Sequence, residues 1–302
     1  MKDTTMKKTI RIIGFLLGLI ILTGVLSLFF KEQDGLKVYD SLSVHVKTAD
    51  IKAEPDQSLQ ILFYGDSECY ASFSPNDLYS EFGYTSYGCG TAAQKICDTY
   101  AILNENLKTQ SPDIIVLETN CLFRSLKEKE GTPDPVMDLL TDRVPVIAYH
   151  SRWKELARKS LPKKREENRR KNKGFVVREG VNPYNGTTKY MNKTDKAKKI
   201  DEDILEYLDQ IKALCDKNDI TLLLVSAPAP KNWNYEKHNG VADWASSHEV
   251  DYMDLNLEDG IKINWKKDSK DGGDHLNLKG ARKVTKFMGE YFRDTYGLTA
   301  EE

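Results

Sequence analysis

Two short polar segments, far apart in the chain, contain residue types that together can perform nucleophilic catalysis. Ser67 follows an apolar run, residues 59–64, which is typical of a buried strand because it is short and stops at a glycine. Near the other end of the chain, Asp271 and Asp274 precede His275. A serine hydroxyl needs a base before it can attack, and a histidine base needs a carboxylate to orient it. These residues therefore predict a nucleophile, a base and an orienting group.

Two further segments lie between these ends. Residues 86–90 read Ser-Tyr-Gly-Cys-Gly, and residues 113–120 form a second apolar strand that ends in a polar pair. By itself, the Gly-Asp-Ser sequence at 65–67 is also ordinary turn chemistry. The order and spacing of all four segments nevertheless resemble the sequence blocks of the SGNH (GDSL-like) hydrolase superfamily, and the resemblance covers residues 59–295.

That resemblance implies a role for each candidate residue. Ser67 would be the nucleophile and His275 the base, with an aspartate of the last segment completing the triad. The backbone of Ser67 and Gly88 and the side chain of Asn120 would form the oxyanion hole. The resemblance also implies an α/β fold of three α/β/α layers, flavodoxin-like, around a central parallel sheet. We expect no cofactor and no metal.

The orienting carboxylate is open between two residues. The family's usual aspartate lies three residues before the histidine, where this chain has Gly272. Adjacent side chains usually point apart, which favours Asp271, four residues before His275, over Asp274. The third segment also departs from the family, because Glu118 stands where a glycine is common.

An apolar stretch near the amino terminus predicts a membrane anchor. Residues 12–30 are 19 residues without charge or proline, which suits a tilted or slightly short span. The basic residues before it predict a cytoplasmic tail at 1–11 and an extracytoplasmic remainder. That remainder would comprise a stalk at 31–58 and an SGNH hydrolase-like domain at 59–298. A cleaved signal peptide is the alternative.

The alternation of apolar runs and helical patterns favours a parallel sheet covered on both faces. Charged residues make up 30% of the chain and hydrophobic residues 40%, which are ordinary globular values. Strands are predicted at 59–66, 84–87, 114–117 and 220–225, and helices at 92–108, 204–218 and 279–296.

A basic insertion is predicted at residues 152–199. It contains 17 Lys and Arg against 5 Asp and Glu, although the net charge of the whole chain is −2. With few large apolar residues it cannot bury much core. It is therefore either a solvated insertion or a surface for an anionic envelope polymer or lipid headgroups. An extracytoplasmic position makes nucleic acid a poor partner.

Four aromatic or histidine side chains are candidates for the wall of a substrate cleft, although each has an alternative role in packing. His150 and Trp153 lie at the start of the basic insertion. Trp233 and His238 follow the strand at 220–225, where loops line the sites of α/β folds. The five cysteines are odd in number and match no zinc pattern, so we interpret them as small buried residues.

The anchor and the catalytic segments together are similar to the D-alanine-transfer proteins of teichoic acid operons and to alginate-type O-acetylation proteins. This resemblance implies transfer or removal of a small acyl group, acetyl or D-alanyl, on an envelope glycopolymer through an acyl-serine. The partner would be a membrane-bound O-acyltransferase. The alternatives are a free-standing carbohydrate esterase or lipase-like hydrolase, and a non-catalytic scaffold that keeps the fold.

Overall fold

The computed structural model describes residues 2–29, 50–126, 162–187 and 189–301. The chain divides into two compact units, one of residues 1–37 with 129–163 and one of residues 38–128 with 164–302. In the first unit the main described element is helix α1, Lys2–Phe29. Its stretch Met6–Leu26, 21 residues, is long and apolar enough to cross a membrane. It overlaps the predicted anchor, of which Phe30 lies outside the described residues.

The second unit is built on a parallel sheet. Its described strands have the order β2-β1-β3-β4-β5, and every neighbouring pair is parallel. This is the flavodoxin-like order, in which the chain changes direction across the sheet between β1 and β3. The predicted α/β fold with a central parallel sheet is thus confirmed. The strands are β1 Ile61–Tyr64, β2 Ser86–Gly88, β3 Ile114–Glu118, β4 Thr221–Ser226 and β5 Asp251–Asp254.

Helices cover both faces of this sheet. In β1, side chains alternate between the faces: Phe63 stacks on Phe73 and packs near Phe292, whereas the Tyr64 hydroxyl accepts a hydrogen bond from Asn106 on the other side. The result is three layers. The helices described after α1 are, in chain order, α2 Ser67–Ser72, α3 Pro75–Phe82, α4 Ile96–Asn106, α5 Pro162–Lys171, α6 Glu202–Lys217, α7 Tyr235–Ser247 and α8 Leu278–Tyr296, of which α5 spans residues of both units.

The chain before β1 belongs to the domain further upstream than predicted. Residues 50–58 were assigned to the stalk, yet Ile51 is fully buried. The amide of Gln57 donates to the carbonyl of Thr109 at 2.9 Å, which ties this segment to the end of α4. Burial of Ile51, this backbone bond and the side chain of Gln110, which bonds to Ser58 and Pro55, together hold an otherwise polar segment against the domain.

Candidate active site

Ser67 lies where strand β1 meets helix α2, at the carboxyl edge of the sheet. The strand ends at Tyr64 and the helix begins at Ser67, which is half-buried. Asp66 caps this short helix, because its Oδ1 accepts the amide hydrogen of Glu68 at 3.1 Å. Since β1 and β3 are neighbours, the residues that follow them meet at the position where flavodoxin-like sheets hold their ligands.

Asn120 follows β3 and reaches the Ser67 segment from that neighbouring strand. Its Nδ2 donates to Asp66 Oδ2 at 2.9 Å and to Glu68 Oε2 at 3.2 Å. Its Oδ1 accepts from Lys237 Nζ at 3.2 Å. Asn120 is therefore brought to the predicted nucleophile, but its donors are directed at carboxylates. One of these bonds must be exchanged before the amide can donate to an oxyanion.

The glycines of the second segment have different surroundings. The amide of Gly88, the predicted oxyanion donor, donates to the carbonyl of Lys173 at 2.8 Å. Gly90 lies two residues on, beside the turn before Ser67. A Cβ added at Gly90 would lie 3.0 Å from the carbonyl oxygens of Gly65 and Asp66. A Cβ at this distance would push the two turns slightly apart, so the glycine favours this close approach, and it is Gly90 rather than Gly88 that lies against the nucleophile turn.

His275 is oriented chiefly by Asp271. The Nδ1 atom of His275 lies 2.7 Å from Asp271 Oδ2, and the backbone amide of His275 donates to Asp271 Oδ1, also at 2.7 Å. Asp274 Oδ2 is 3.5 Å from the same Nδ1. Gly272 and Gly273 both adopt positive φ, 75° and 94°, and this tight loop lets a residue four positions upstream reach the imidazole.

The other ring nitrogen of His275 is the atom that a base would use. Because Nδ1 bonds to a carboxylate, it holds the proton in the neutral imidazole and leaves Nε2 as an acceptor. Among the described residues, Nε2 is buried and has no hydrogen-bond partner. The bond to Ser67 expected of a base is thus not formed in this state. Such bonds are often long before substrate binds.

Two side chains that the sequence reasoning did not assign join the nucleophile helix to the histidine loop. Asn232, from the loop after β4, donates its Nδ2 to both Glu68 and Asp274. Arg178, from the basic insertion, donates to Asp271 Oδ2 and to the hydroxyl of Tyr70 on α2. Neither carries a motif. The position of Asn232 in a loop after a strand was the one available signal.

Three buried carboxylates lie beneath Ser67 and differ in protonation. Burial would raise the pKa of Asp66, but its hydrogen bond with Glu68 and the Arg124 guanidinium, 2.6 Å away, lower it. Burial and the adjacent Asp66 raise the pKa of Glu68. Burial, followed by the charge of Asp66, also raises the pKa of Glu118. Asp66 is therefore the member of this cluster whose surroundings favour the ionised form.

Two groups of side chains have the spacing that a metal ion would require. The ligand atoms of Asp271, Asp274 and His275 lie within 4.8 Å of one another, as do those of the buried cluster beneath Ser67. Members of both groups already receive hydrogen bonds from Asn232, a protein amide.

The predicted cleft-wall residues have other partners. Trp233 is buried, and its Nε1 donates to Asp254 Oδ2 at 2.9 Å. His238 Nδ1 lies 2.9 Å from the same oxygen. Trp233 is therefore a packing residue, since its polar atom is already used inside the domain. His150 and Trp153 lie outside the described residues.

Part of the basic insertion is paired within the domain. Arg169 and Arg170 both bond to Asp50, which is fully buried, and Arg169 Nη2 does so at 2.8 Å. Lys173 pairs with Glu54. The segment before β1 therefore supplies acidic partners for these side chains of the predicted insertion.

No protein-family model matches this chain, and no curated protein matches it. Solved structures show similarity at low identity. A lipase/acylhydrolase from Enterococcus faecalis is 12% identical with a TM-score of 0.44, covering 81% of this chain and 99% of its own. A GDSL-like lipase from Bacteroides thetaiotaomicron is 12% identical with a TM-score of 0.42, covering 83% and 98%. These identities and TM-scores are too low for a function to be transferred from those proteins. A function for this chain is therefore inferred from the residues of the site.

Proposed function

We propose that this protein is a membrane-anchored serine esterase or O-acyltransferase that works through an acyl-serine. The observation that carries the proposal is the His275 imidazole. Its Nδ1 is fixed by Asp271, its buried Nε2 is unoccupied by the described residues, and Asn232 ties its loop to the residue after Ser67. An imidazole that a carboxylate orients at Nδ1, with Nε2 left as an acceptor, is what a general base contributes to a serine nucleophile.

The reaction would proceed in two halves. His275 Nε2 takes the Ser67 proton as Oγ attacks the ester carbonyl, and Asp271 stabilises the imidazolium that forms. The tetrahedral intermediate then collapses, and His275 returns the proton to the leaving alkoxide, which departs as an alcohol. Acyl-Ser67 remains. Water or a sugar hydroxyl, deprotonated by His275, then attacks the acyl group and releases Ser67 with its proton restored.

The oxyanion hole would use three donors. The first is the backbone amide of Ser67 at the start of α2. We replace Gly88 by Gly90 as the second, because the Gly88 amide already bonds to Lys173. The Nδ2 of Asn120 is the third, once substrate displaces one of its carboxylate contacts. Loss of one such donor typically lowers the rate by ~10²–10³-fold.

The amino-terminal helix supports the proposed location. The amino-terminal end of the apolar stretch contains three basic residues, Lys7, Lys8 and Arg11. Basic residues that flank a membrane span favour the cytoplasmic side. We infer an uncleaved anchor with the amino terminus in the cytoplasm and the catalytic domain outside. Retention in membranes after carbonate washing, with digestion of the bulk of the protein by protease added to intact cells, tests this topology. A shortened form in the medium would contradict it.

The proposed substrate is a small acyl ester, acetyl or D-alanyl, on an envelope glycopolymer, with a membrane-bound O-acyltransferase as partner. A free-standing carbohydrate esterase or lipase-like hydrolase is the alternative within the same chemistry.

The chemistry itself is tested by hydrolysis of p-nitrophenyl acetate by the full chain in detergent. We expect Ser67→Ala to abolish turnover and Ser80→Ala, an exposed serine on α3, to leave it unchanged. Equal turnover by both variants would contradict the proposal.

A non-catalytic scaffold is a second candidate, favoured by one observation. Both Nδ2 contacts of Asn120 are to carboxylates rather than to open space. A fluorophosphonate distinguishes the two, because it reacts with an activated serine and not with an inert one. Labelling of the wild type but not of Ser67→Ala supports the enzyme. No labelling of a folded wild-type protein supports the scaffold.

The basic insertion is proposed to attract an anionic polymer or lipid surface. Lys163, Lys164 and Arg165 are the residues to test, since Arg169 and Arg170 have an intramolecular partner in Asp50. Their replacement by glutamine should weaken sedimentation with phosphatidylglycerol vesicles, and the loss should shrink as salt rises. Turnover of a neutral ester should not change. Unchanged sedimentation at low salt would contradict this role.

A further inference from the structure

We propose that Arg178 is a positioning residue for the catalytic pair, supplied by the basic insertion. This inference rests on the proposed function and extends it to a segment whose sequence indicated only attraction to anions. The observation is that Arg178 touches both halves of the site at once: the carboxylate that orients His275 and the helix that begins with Ser67.

The backbone around Arg178 forms a strap, residues 172–184, that begins at the oxyanion side of the site. The carbonyl of Lys173 accepts the Gly88 amide at 2.8 Å. Three residues later, the amide of Val176 donates to the carbonyl of Tyr70 at 3.0 Å. The strap is thus attached first to the end of β2 and then to helix α2.

The same strap continues to the histidine loop. The carbonyl of Arg178 accepts the amide of Leu278 at 2.9 Å. The amide of Asn182 donates to the carbonyl of Ser269 at 3.1 Å, and its carbonyl accepts the amide of Gly272 at 3.0 Å. These bonds flank His275 on both sides in sequence. One segment therefore holds the backbone of the glycine loop, the nucleophile helix and the histidine loop together.

The side chain of Arg178 acts at the centre of this strap. Its Nη1 is 3.2 Å from Asp271 Oδ2, and its Nη2 is 3.3 Å from the Tyr70 hydroxyl. The guanidinium also lies over the Tyr70 ring, 5.5 Å from its centroid. Only 20% of the side chain is exposed, so the planar fork is held in place rather than free in solvent.

Arg178 bonds to the same carboxylate oxygen that faces His275 Nδ1. This fixes the rotation of the Asp271 carboxylate, and through it the direction of Nε2. The other groups around Asp271 do not replace this contact: Lys231 Nζ bonds to its backbone carbonyl at 3.0 Å, and Asp274 adds a negative charge beside the ring. Among the described residues, Arg178 is therefore the arginine or lysine that pairs with the Asp271 carboxylate, and it holds that carboxylate in one orientation.

A double-mutant cycle tests this role. Arg178→Met keeps the length of the stem and removes the fork. We expect it to lower kcat for p-nitrophenyl acetate by up to ~10²-fold with KM nearly unchanged, because a misdirected base slows chemistry without removing binding contacts. Arg178→Lys, which keeps the charge but not the fork, should recover part of the loss. In an Asp271→Asn background, Arg178→Met should cost nothing further.

The matched control is Arg282→Met, which removes an arginine from an exposed ion pair with Asp77 and should leave kcat unchanged. Tyr70→Phe removes the other contact of the guanidinium and should lower kcat less than Arg178→Met does. It replaces Arg178→Met in the test if that variant does not fold. Wild-type kcat in a folded Arg178→Met protein, or an equal loss in the Asp271→Asn background, would overturn the inference. Absence of wild-type esterase activity would instead refute the proposed function.

Discussion

The domain contains two histidine–aspartate pairs of nearly equal geometry. His275 Nδ1 is 2.7 Å from Asp271, and His238 Nδ1 is 2.9 Å from Asp254. What separates them is the surroundings. Asp254 is buried and also accepts from Trp233 Nε1, while the rings of two tyrosines pack against the His238 imidazole. The His238–Asp254 pair is therefore a structural contact that holds together β5, helix α7 and the loop that precedes α7.

The carboxylate of the His275–Asp271 pair is more exposed than that of the His238–Asp254 pair. Asp271 is one-third exposed, and the Nε2 of His275 has no partner among the described residues. The short Nδ1–carboxylate distance is common to both pairs and does not identify a base. The discriminating feature is a connection to the nucleophile helix, which Asn232 and Arg178 provide for His275.

Replacing each histidine by glutamine tests most directly whether the two pairs have different roles. His275→Gln should lower kcat/KM for p-nitrophenyl acetate by ~10²–10⁴-fold, because general-base catalysis is lost. His238→Gln should leave kcat/KM near the wild-type value and lower stability by about 1–3 kcal/mol, since Asp254 loses a buried partner. Ester kinetics and urea unfolding measure the two effects. Loss of activity in His238→Gln alone would reverse the assignment.

The aspartates give the next test. Asp271→Asn should reduce kcat by up to ~10⁴-fold, because the amide favours the wrong tautomer of His275. Asp274→Asn should be mild, since its oxygen is 3.5 Å from Nδ1. Asp254→Asn should act on stability rather than on rate. A large rate loss in Asp274→Asn with a mild one in Asp271→Asn would mean that Asp274 orients the base.

The third and smallest effect concerns the carboxylates beneath Ser67. The folded state raises the pKa of Glu68 above its ordinary 4.5, so this group favours folding at pH values below about 4.5 and loses that contribution as the pH rises. The side chain of glutamine has no titratable proton, so Glu68→Gln lacks this dependence of stability on pH. The difference in Tm between Glu68→Gln and wild type should therefore become more positive from about pH 5 to about pH 8. A difference that becomes more negative would mean that Glu68 is ionised in the folded protein.

The wild-type activity should survive Glu68→Gln far better than Asp66→Asn. Glutamine preserves a neutral side chain of similar shape, whereas asparagine removes the charge that pairs with Arg124. This contrast separates the buried cluster, in which Asp66 is the member with a lowered pKa, from the His275–Asp271 pair, whose carboxylate is one-third exposed. Ester kinetics at neutral pH measure it. Equal losses in the two variants would indicate that Glu68 also takes part as an anion.

The sheet was predictable because its inner strands are apolar except at their ends. The runs predicted at 114–117 and 220–225 agree with β3 and β4 within one residue. Strand β5 was missed, since Asp251–Asp254 has aspartates at both ends and only its last two residues are buried. Its strand conformation comes from pairing with β4, which is a tertiary effect that local composition does not express.

The site was predictable only where chemistry is encoded locally. Asp271 lies four residues from His275, and a loop argument was enough to favour it. Arg178 is 93 residues from Asp271, and nothing in a run of basic residues marks one of them for the interior. The choice between Gly88 and Gly90 likewise depends on which carbonyls lie opposite each glycine. For Trp233, the choice between a cleft wall and packing depends on Asp254, a residue of β5, which local composition does not mark as a strand.

The central claim is that Ser67 is a nucleophile activated by His275 and not by His238. Mass spectrometry of the full chain after reaction with a fluorophosphonate tests it most directly, with the modified residue located by peptide mapping. We predict one adduct, on Ser67, formed at the wild-type rate in His238→Gln and slowed by ~10²–10⁴-fold in His275→Gln. An adduct on another residue, or equal rates in both histidine variants, would contradict the account.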